Sequence, residues 1–242
     1  MTHSPLEVDA VILDLDDTLI REHDFVLSGY AAVARDLAPT LGVPERAIGD
    51  ALRGIYDSPD RSRAFDALLE PHGRPDLVRR CIDTYRGHAP SIHLTPSAEL
   101  LLTELLGRVP VGVVTDGPLV MQEAKVTALG LRDRGVEIVC TDALGGRETW
   151  KPSPAGLVEA LTRLDAAPHR AVYIADNPHK DFVATARAGV HSVRLRQPGQ
   201  LHHDCEADPG GEPEQEVRDL RDVVTLLQLP PHPTPEHEFG HP

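Results

Sequence analysis

Val11-Ile12-Leu13-Asp14-Leu15-Asp16-Asp17-Thr18-Leu19 is a short apolar run that ends abruptly in three carboxylates and a hydroxyl. The segment from Ala10 to Leu13 has the length and β-branched content of a strand buried on both faces, the kind found in parallel sheets covered by helices. In such sheets ligands sit beyond the carboxyl ends of the strands, so acids at this place stand where chemistry is done. Asp14 and Asp16 lie two apart, and extended geometry would send both side chains to the same side. Two like charges so placed raise each other's pKa or require a cation between them. An oxygen-rich pair suits a hard ion such as Mg2+, which keeps waters and is held by one or two carboxylates plus substrate phosphate. Taken alone, the stretch also fits a strand followed by an Asp-rich turn with Thr18 as a helix cap. The rest of the chain decides between the two.

Downstream the pattern changes. From Asp24 to about Arg86, apolar positions such as Val26, Tyr30, Val33, Leu37 and Leu41 recur every three to four residues, which predicts helix. Further helices are expected near Pro44 to Tyr56, Arg61 to Leu69 and Asp76 to Tyr85, punctuated by Gly42, Pro59, Pro71, Gly73 and Pro75. No strand pattern interrupts them, and residues 21–94 read as an all-helical insertion.

Beyond it, helix and strand alternate. A helix from Ser97 to Leu106 has Thr95 or Ser97 as its start signal, and Val109 to Val114 is a second buried strand. Then come a helix from Leu119 to Leu129 before Gly130, a strand from Val136 to Cys140, a Gly-rich loop through Gly145-Gly146 and a helix from Ala155 to Leu164. The strand Ala171 to Ala175, the helix Asp181 to Ala188 stopped by Gly189, and the short strand Ser192 to Leu195 follow. Pro198 to Gly211 is polar and turn-rich, and Glu214 to Leu227 is expected to form a last amphipathic helix. Strands separated by helices specify an α/β fold, a parallel sheet with helices on both faces. Residues 1–20 and 95–229 then make a discontinuous core, and the proline-rich residues 230–242 a disordered tail. His232, His237 and His241 in that tail are too loosely spaced to read as a metal tract.

Three loops join the first at the same edge. Thr115-Asp116-Gly117-Pro118 follows its strand at once, bringing a hydroxyl and free backbone N–H groups to a helix entrance, either as a phosphate cradle or as a plain Ser/Thr cap. Lys151-Pro152-Ser153-Pro154 precedes the helix at Ala155, and a lysine held between prolines can present a fixed ammonium to phosphate oxygens or simply face solvent. Asp176-Asn177-Pro178-His179-Lys180-Asp181 ends the third strand with two acids five apart, which complete a ring of oxygen ligands unless Asp181 only caps its helix. His179 and Lys180 are expected on the exposed side of that turn.

Composition narrows the partners. The 242 residues suffice for a large α/β domain with an insertion. A net charge of −14 argues against binding nucleic acid or an anionic membrane surface. Cys81, Cys140 and Cys205 are odd in number and far apart, which fits a reducing cytoplasm better than a disulfide framework or a close-paired zinc site. No run reaches the roughly 18 apolar residues of a membrane span, and acids at Glu7 and Asp9 stand where a leader would be basic. The expected setting is cytoplasmic, with a small molecule as partner and a monomer or homodimer as the working form.

Asp-x-Asp, Thr, Lys-Pro and an Asp with a second Asp, each after a strand or at a helix start and in this order, resemble the haloacid dehalogenase superfamily from about Ala10 to Val193. The helical insertion between the first and second motifs looks like that superfamily's helical cap. The resemblance implies a Rossmann-like core, dependence on Mg2+ and phosphoryl transfer through an aspartyl phosphate. It implies Asp14 as nucleophile and Asp16 as general acid/base, with its backbone carbonyl on the metal. Thr115 matches the phosphate-binding hydroxyl and Lys151 the lysine bridging nucleophile and phosphate. Asp176 matches a metal ligand, and Asp181 the acid supporting the metal or its waters. Asp116, Gly117 and Arg21 join Thr115 and Lys151 as candidate substrate contacts. Ala175 departs from the glycine common at that place, and Asn177-Pro178 resembles a subset reading Gly-Asp-Asn-Pro. Relatives that dehalogenate lack the second aspartate, so the expected reaction is Mg2+-dependent hydrolysis of a sugar phosphate or nucleoside monophosphate. The alternatives are a phosphomutase of the β-phosphoglucomutase type and, less in keeping with the complete acid set, a non-catalytic binding protein. Glu22, His23, Arg53, Arg61, Arg63 and His88 are polar positions of the helical block that either meet the substrate or face solvent.

Overall fold

The computed structural model describes residues 5–231. Its strands are β1 (Leu6–Glu7), β2 (Ala10–Leu13), β3 (Val111–Thr115), β4 (Glu137–Cys140), β5 (Ala171–Ala175), β6 (His191–Leu195), β7 (Gln215–Val217) and β8 (Leu227–Gln228). Six of them form one parallel sheet in the order β4-β3-β2-β5-β6-β7, and β1 pairs with β8. The chain leaves β2 for β3 and β4 on one side, then returns to β5 on the other, so the order reverses at β2. A reversal of this kind opens a crevice at the carboxyl ends of the strands. Leu13 is paired with Val113 on one side and Ile174 on the other. Every residue of β2 is fully buried, as the unbroken apolar run requires of a central parallel strand.

The helices are α1 (Glu22–Leu41), α2 (Glu45–Tyr56), α3 (Ala64–Leu69), α4 (Val78–Gly87), α5 (Pro96–Leu105), α6 (Leu119–Ala128), α7 (Asp142–Gly145), α8 (Ala155–Arg163), α9 (Asp181–Ala188) and α10 (Leu220–Leu226). Thr95 starts α5 by accepting from the Ala98 N–H at 3.2 Å, and Gly189 ends α9 in the left-handed conformation, φ 71°.

Two compact units emerge. The first contains residues 1–20, 94–117 and 131–242, of which the described part carries the sheet. Its core is an apolar layer of Ala10, Ile12, Val114, Val139, Leu157, Tyr173, Phe182 and neighbours. The second contains residues 21–93 together with 118–130 and is helical throughout. Along α1, Val26, Tyr30, Val33 and Leu37 line the stripe their spacing dictates and meet Ile48 and Leu52 of α2, Leu68 and Leu69 of α3 and Cys81 of α4. Each such side chain withdrawn from water is worth about 1.5–3 kcal/mol. A Cβ at Gly29 of α1 would run into the Tyr85 ring, so that contact demands glycine.

Three expectations need correction. Residues 118–130, assigned from sequence to the core, group by packing with the helical unit. The stretch expected as one helix from Glu214 to Leu227 is strand, turn and helix. Gln215–Val217 pairs with β6, and Asp219 starts a new helix by accepting from the Arg221 N–H at 2.9 Å. The Gly145-Gly146 loop is α7 followed by a 3-10 turn, Gly146–Thr149. The Thr149 hydroxyl closes it by donating to Thr141 O and Gly146 O at 2.6 and 2.7 Å. The short strands β1 and β8 are too brief to leave a periodic trace. Of the expected disordered tail, residues 232–242 lie outside the described residues.

Candidate active site

Asp14 is the first residue past β2, and its N–H donates to Ile174 O of β5 at 2.9 Å, which carries the strand's direction one residue further. The backbone then bends at Leu15, which is fully buried, and passes through Asp17 at φ 53°. Asp16 therefore does not continue the strand beside Asp14. The carboxylates that converge are instead those of Asp14, Asp176 and Asp181, with one oxygen from each within 4.8 Å of the others. Asp14 and Asp176 leave the ends of neighbouring strands, and Asp181 returns to them from the first turn of α9. Asp16, half-buried, stands in the turn that bridges back to Ile20.

Lys151 reaches into this group from the turn before α8. Its ammonium, 1% exposed, lies 2.5 Å from Asp14 Oδ1 and 2.8 Å from Asp181 Oδ1, and donates to the Tyr173 hydroxyl at 2.6 Å. Tyr173 in turn donates to Asp14 Oδ1 at 3.2 Å. Asp116 holds the lysine from behind, with Oδ1 accepting from the Lys151 N–H at 3.2 Å and from the Thr141 hydroxyl at 2.8 Å. Thr115, the last residue of β3, is 1% exposed, and its carbonyl accepts from the N–H of Thr141 at 3.0 Å. Gly117 follows at φ 133°, a conformation open to glycine. Asp181 Oδ2 accepts from the Asn177 N–H at 3.0 Å and so closes the loop on itself.

These charges are out of water, and their titration follows. Burial pushes Asp14 up against the opposing pull of Lys151 and Lys180. Burial also pushes Asp176 well above the carboxylate range, reinforced by the nearby charges of Asp181 and Asp14. Asp181 is buried as deeply, yet Lys151 and Lys180 outweigh the burial and hold it low. Burial alone would lower Lys151, but Asp14 and Asp181 hold its proton well above the usual lysine value. The donor set is thus oxygen-only and short of positive charge: the four carboxylates of Asp14, Asp116, Asp176 and Asp181 face the two ammonium groups of Lys151 and Lys180. A divalent hard cation would balance this set, and the residues fit Mg2+.

Two side chains here were not singled out as functional from sequence. Lys180, expected on the exposed side of its turn, is half-buried with its ammonium 3.3 Å from both Asp116 Oδ2 and Asp181 Oδ1. Tyr173 is fully buried, and its signal was available: a phenol in the otherwise apolar strand Ala171-Val172-Tyr173-Ile174-Ala175 has to find a polar partner. His179 is exposed as expected.

The helical unit has a recess of its own, a cavity of about 460 Å3 lined by Tyr30, Tyr56, Arg61, Phe65, Tyr85 and Arg86 among others. Arg61 stacks 4.0 Å above the Tyr56 ring. Arg53 and Arg63 are exposed in ion pairs with Asp50 and with Asp60 and Glu70. His88, expected at the surface, is buried against Phe25, because its Nδ1 finds the Tyr85 carbonyl at 2.6 Å. Arg21, Glu22 and His23 begin α1 or directly precede it, and Arg21 is exposed.

A family model described as haloacid dehalogenase-like hydrolase matches residues 11–195. Glyceraldehyde 3-phosphate phosphatase of Methanopyrus kandleri is 29% identical over 236 residues, 91% of this chain and 98% of the relative. Validoxylamine A 7'-phosphate phosphatase of Streptomyces hygroscopicus subsp. limoneus is 36% identical over 202 residues, 81% of this chain and 87% of the relative. Among solved structures, the magnesium-bound HAD-hydrolase YfnB of Bacillus subtilis superposes with a TM-score of 0.62 at 18% identity, covering 92% of this chain and 99% of that one.

Proposed function

The chain belongs to the haloacid dehalogenase-like hydrolase family and is a phosphatase, and we propose that it hydrolyses a small phosphorylated metabolite, a sugar phosphate or nucleoside monophosphate, through an aspartyl phosphate on Asp14 with Mg2+ as cofactor. The observation that carries this reading is the lysine clamp on a buried aspartate, with Asp14 Oδ1 held 2.5 Å from Lys151 Nζ beside two further carboxylates. A carboxylate is a weak nucleophile toward a phosphate dianion because like charges repel, and positive charge fixed at the point of attack removes the obstacle. Asp14, Asp176 and Asp181, with the Asp16 carbonyl, would hold Mg2+, which when bound would supply such charge.

In the first step an Asp14 oxygen bonds to phosphorus in line with the ester oxygen, which departs as the alcohol with a proton from Asp16. In the second, Asp16 takes a proton from water as its oxygen bonds to the same phosphorus; inorganic phosphate leaves and Asp14 is restored. Lys151 stays protonated throughout, as its surroundings require. The Thr115 hydroxyl and the backbone of Asp116 and Gly117 take the phosphate oxygens. An acid at position 16 serves an alcohol leaving group and distinguishes this reading from dehalogenation. The helical unit, which occupies the cap's place in the sequence, is assigned to substrate choice, with Arg21 as one contact. Among the described residues no helix is long and apolar enough to cross a membrane.

The test is release of inorganic phosphate from a panel of phosphorylated metabolites with and without Mg2+, in the parent and in Asp14→Asn. Hydrolysis that survives in the variant removes Asp14 as the nucleophile, and activity in excess chelator removes Mg2+.

A further inference from the structure

We propose that His179, His202 and Cys205 form a second metal site, for Zn2+ or an ion of similar softness, distinct from the carboxylate trio. One ligand atom from each lies within 4.8 Å of the others, and His202 Nδ1 is 3.9 Å from Cys205 Sγ. Ligands about 2.0–2.3 Å from a common zinc stand about 3.5 Å apart in a tetrahedron, so closure asks for a contraction of about 1 Å. Two imidazoles and a thiolate select Zn2+ or a soft first-row ion and reject Mg2+. The set is open on one side, where half-exposed His179 meets solvent and a water completes the fourth position.

The surroundings are built as metal sites are. Asp208 Oδ1 is 3.0 Å from His179 Nδ1, a carboxylate that takes the ring N–H and leaves Nε2 for an ion. Arg194 of β6, 2% exposed, donates to the carbonyls of both remaining ligands, His202 at 2.9 Å and Cys205 at 2.8 Å. A buried cation therefore fixes the backbone of the His202-Cys205 turn, which is closed by the Cys205 N–H on His202 O at 3.1 Å. The Asn177 amide nitrogen lies 2.9 Å from His202 Nε2. With an ion on Nδ1, Nε2 keeps the ring proton, and the amide has to present its oxygen instead, giving up the His179 N–H that this oxygen now accepts at 3.0 Å. Binding replaces the Cys205 thiol proton, which goes to solvent, by a metal–sulfur bond.

The same loop touches the turn after β2, Gln200 Nε2 donating to Asp17 O at 2.7 Å and the Leu201 N–H to Asp17 Oδ2 at 3.0 Å. An ion at the His-His-Cys site staples that loop to the segment Asn177–Lys180. The other cysteines do not compete: Cys81 and Cys140 are buried, and burial lifts the Cys81 thiol to about 11.

The test uses the full chain in saturating Mg2+, titrated with Co2+ and then Zn2+. One equivalent of Co2+ is expected to give the intense visible absorption of a tetrahedral ion and a near-ultraviolet thiolate band, both displaced by Zn2+. Cys205→Ser loses the thiolate band and weakens Zn2+ binding about 100-fold, while Asp208→Asn weakens it about 10-fold. Far-ultraviolet circular dichroism identical to the parent's establishes that each variant is folded. In the unmodified chain, stoichiometric Zn2+ slows the reaction of Cys205 with a thiol reagent about 10-fold or more, a readout that needs no variant. A pale octahedral Co2+ spectrum, Zn2+ affinity unchanged by Cys205→Ser, or a Cys205 as reactive with Zn2+ as without it overturns the proposal.

Discussion

The two units treat charge in opposite ways. At the ends of β2, β3 and β5, Asp14, Asp176, Asp181 and Lys151 are all nearly or fully out of water, and each presses on the others. In the helical unit the ion pairs Arg74–Asp76, Arg79–Asp83 and Arg80–Asp36 lie in the open, while the interior is apolar and aromatic, with Tyr30, Phe65 and Tyr85 edge to face. Exposed pairs contribute about 0–1 kcal/mol each, so many sequences serve there equally well. A buried ionic cluster costs several kcal/mol of desolvation per ion, which apolar residues would avoid. A chain that keeps such a cluster keeps it for chemistry, and the difference marks where function is fixed and where it is adjustable.

The sharpest way to break the contrast is to remove one charge from each region. Asp14→Asn should lower kcat on the best substrate by about 10^4-fold or more, equivalent to about 5.5 kcal/mol of barrier. Lys151→Met should cost about 10^3-fold in kcat and about 3–5 kcal/mol of stability in denaturant melts, because it strands buried carboxylates. Arg79→Ala should change stability by less than about 1 kcal/mol. Comparable losses from Arg79 and Lys151 would erase the distinction.

Stability against pH sharpens it next. Burial, with Asp181 and Asp14 nearby, holds Asp176 well above the usual range, whereas the unfolded chain ionises that carboxyl near 3.8. Unfolding then releases a proton, so this group's stabilisation is complete below the unfolded value and is lost as pH rises toward the folded one, at up to about 1.4 kcal/mol per pH unit. Without Mg2+ the melting temperature should fall from acid toward neutral pH, and Asp176→Asn should flatten the fall. Mg2+ at about 100 times its Kd should restore about 2.7 kcal/mol at neutral pH. A metal-free protein that gains stability over that interval contradicts the placement of Asp176.

Smaller effects follow. Tyr173→Phe removes the hydroxyl that Lys151 and Asp14 share, and should cost about 1–3 kcal/mol of stability and about 10-fold in kcat, with KM little changed. Arg61→Ala, which lays bare the Tyr56 ring, should shift kcat/KM ratios between substrates only a few-fold and leave the Mg2+ dependence as it was.

The same contrast explains what the sequence disclosed. The central strand, the lysine turn and the Asp176–Asp181 loop were legible because a buried parallel strand leaves an unbroken apolar run and a helix entrance leaves proline and capping residues. Tyr173 and Lys180 were passed over because their roles depend on partners far away in sequence, Asp14 for one and Asp116 for the other. Gln215–Val217 read as helix since three residues at a sheet edge carry no period, and their pairing with Val193–Leu195 is a tertiary fact. Nor does the sequence show which helical-unit side chains line a cavity, since Arg61 and Arg63 there and Arg53, which is not among its lining residues, all sit in motif-free segments.

The central claim is that the phosphoryl group passes onto Asp14. Rapid quenching of the enzyme during turnover, followed by borohydride reduction and peptide mass analysis, reads this directly, because an aspartyl phosphate is reduced to homoserine. The account predicts homoserine at position 14 alone, dependent on substrate and Mg2+; homoserine elsewhere, or none at position 14 while phosphate accumulates in a burst, would contradict it.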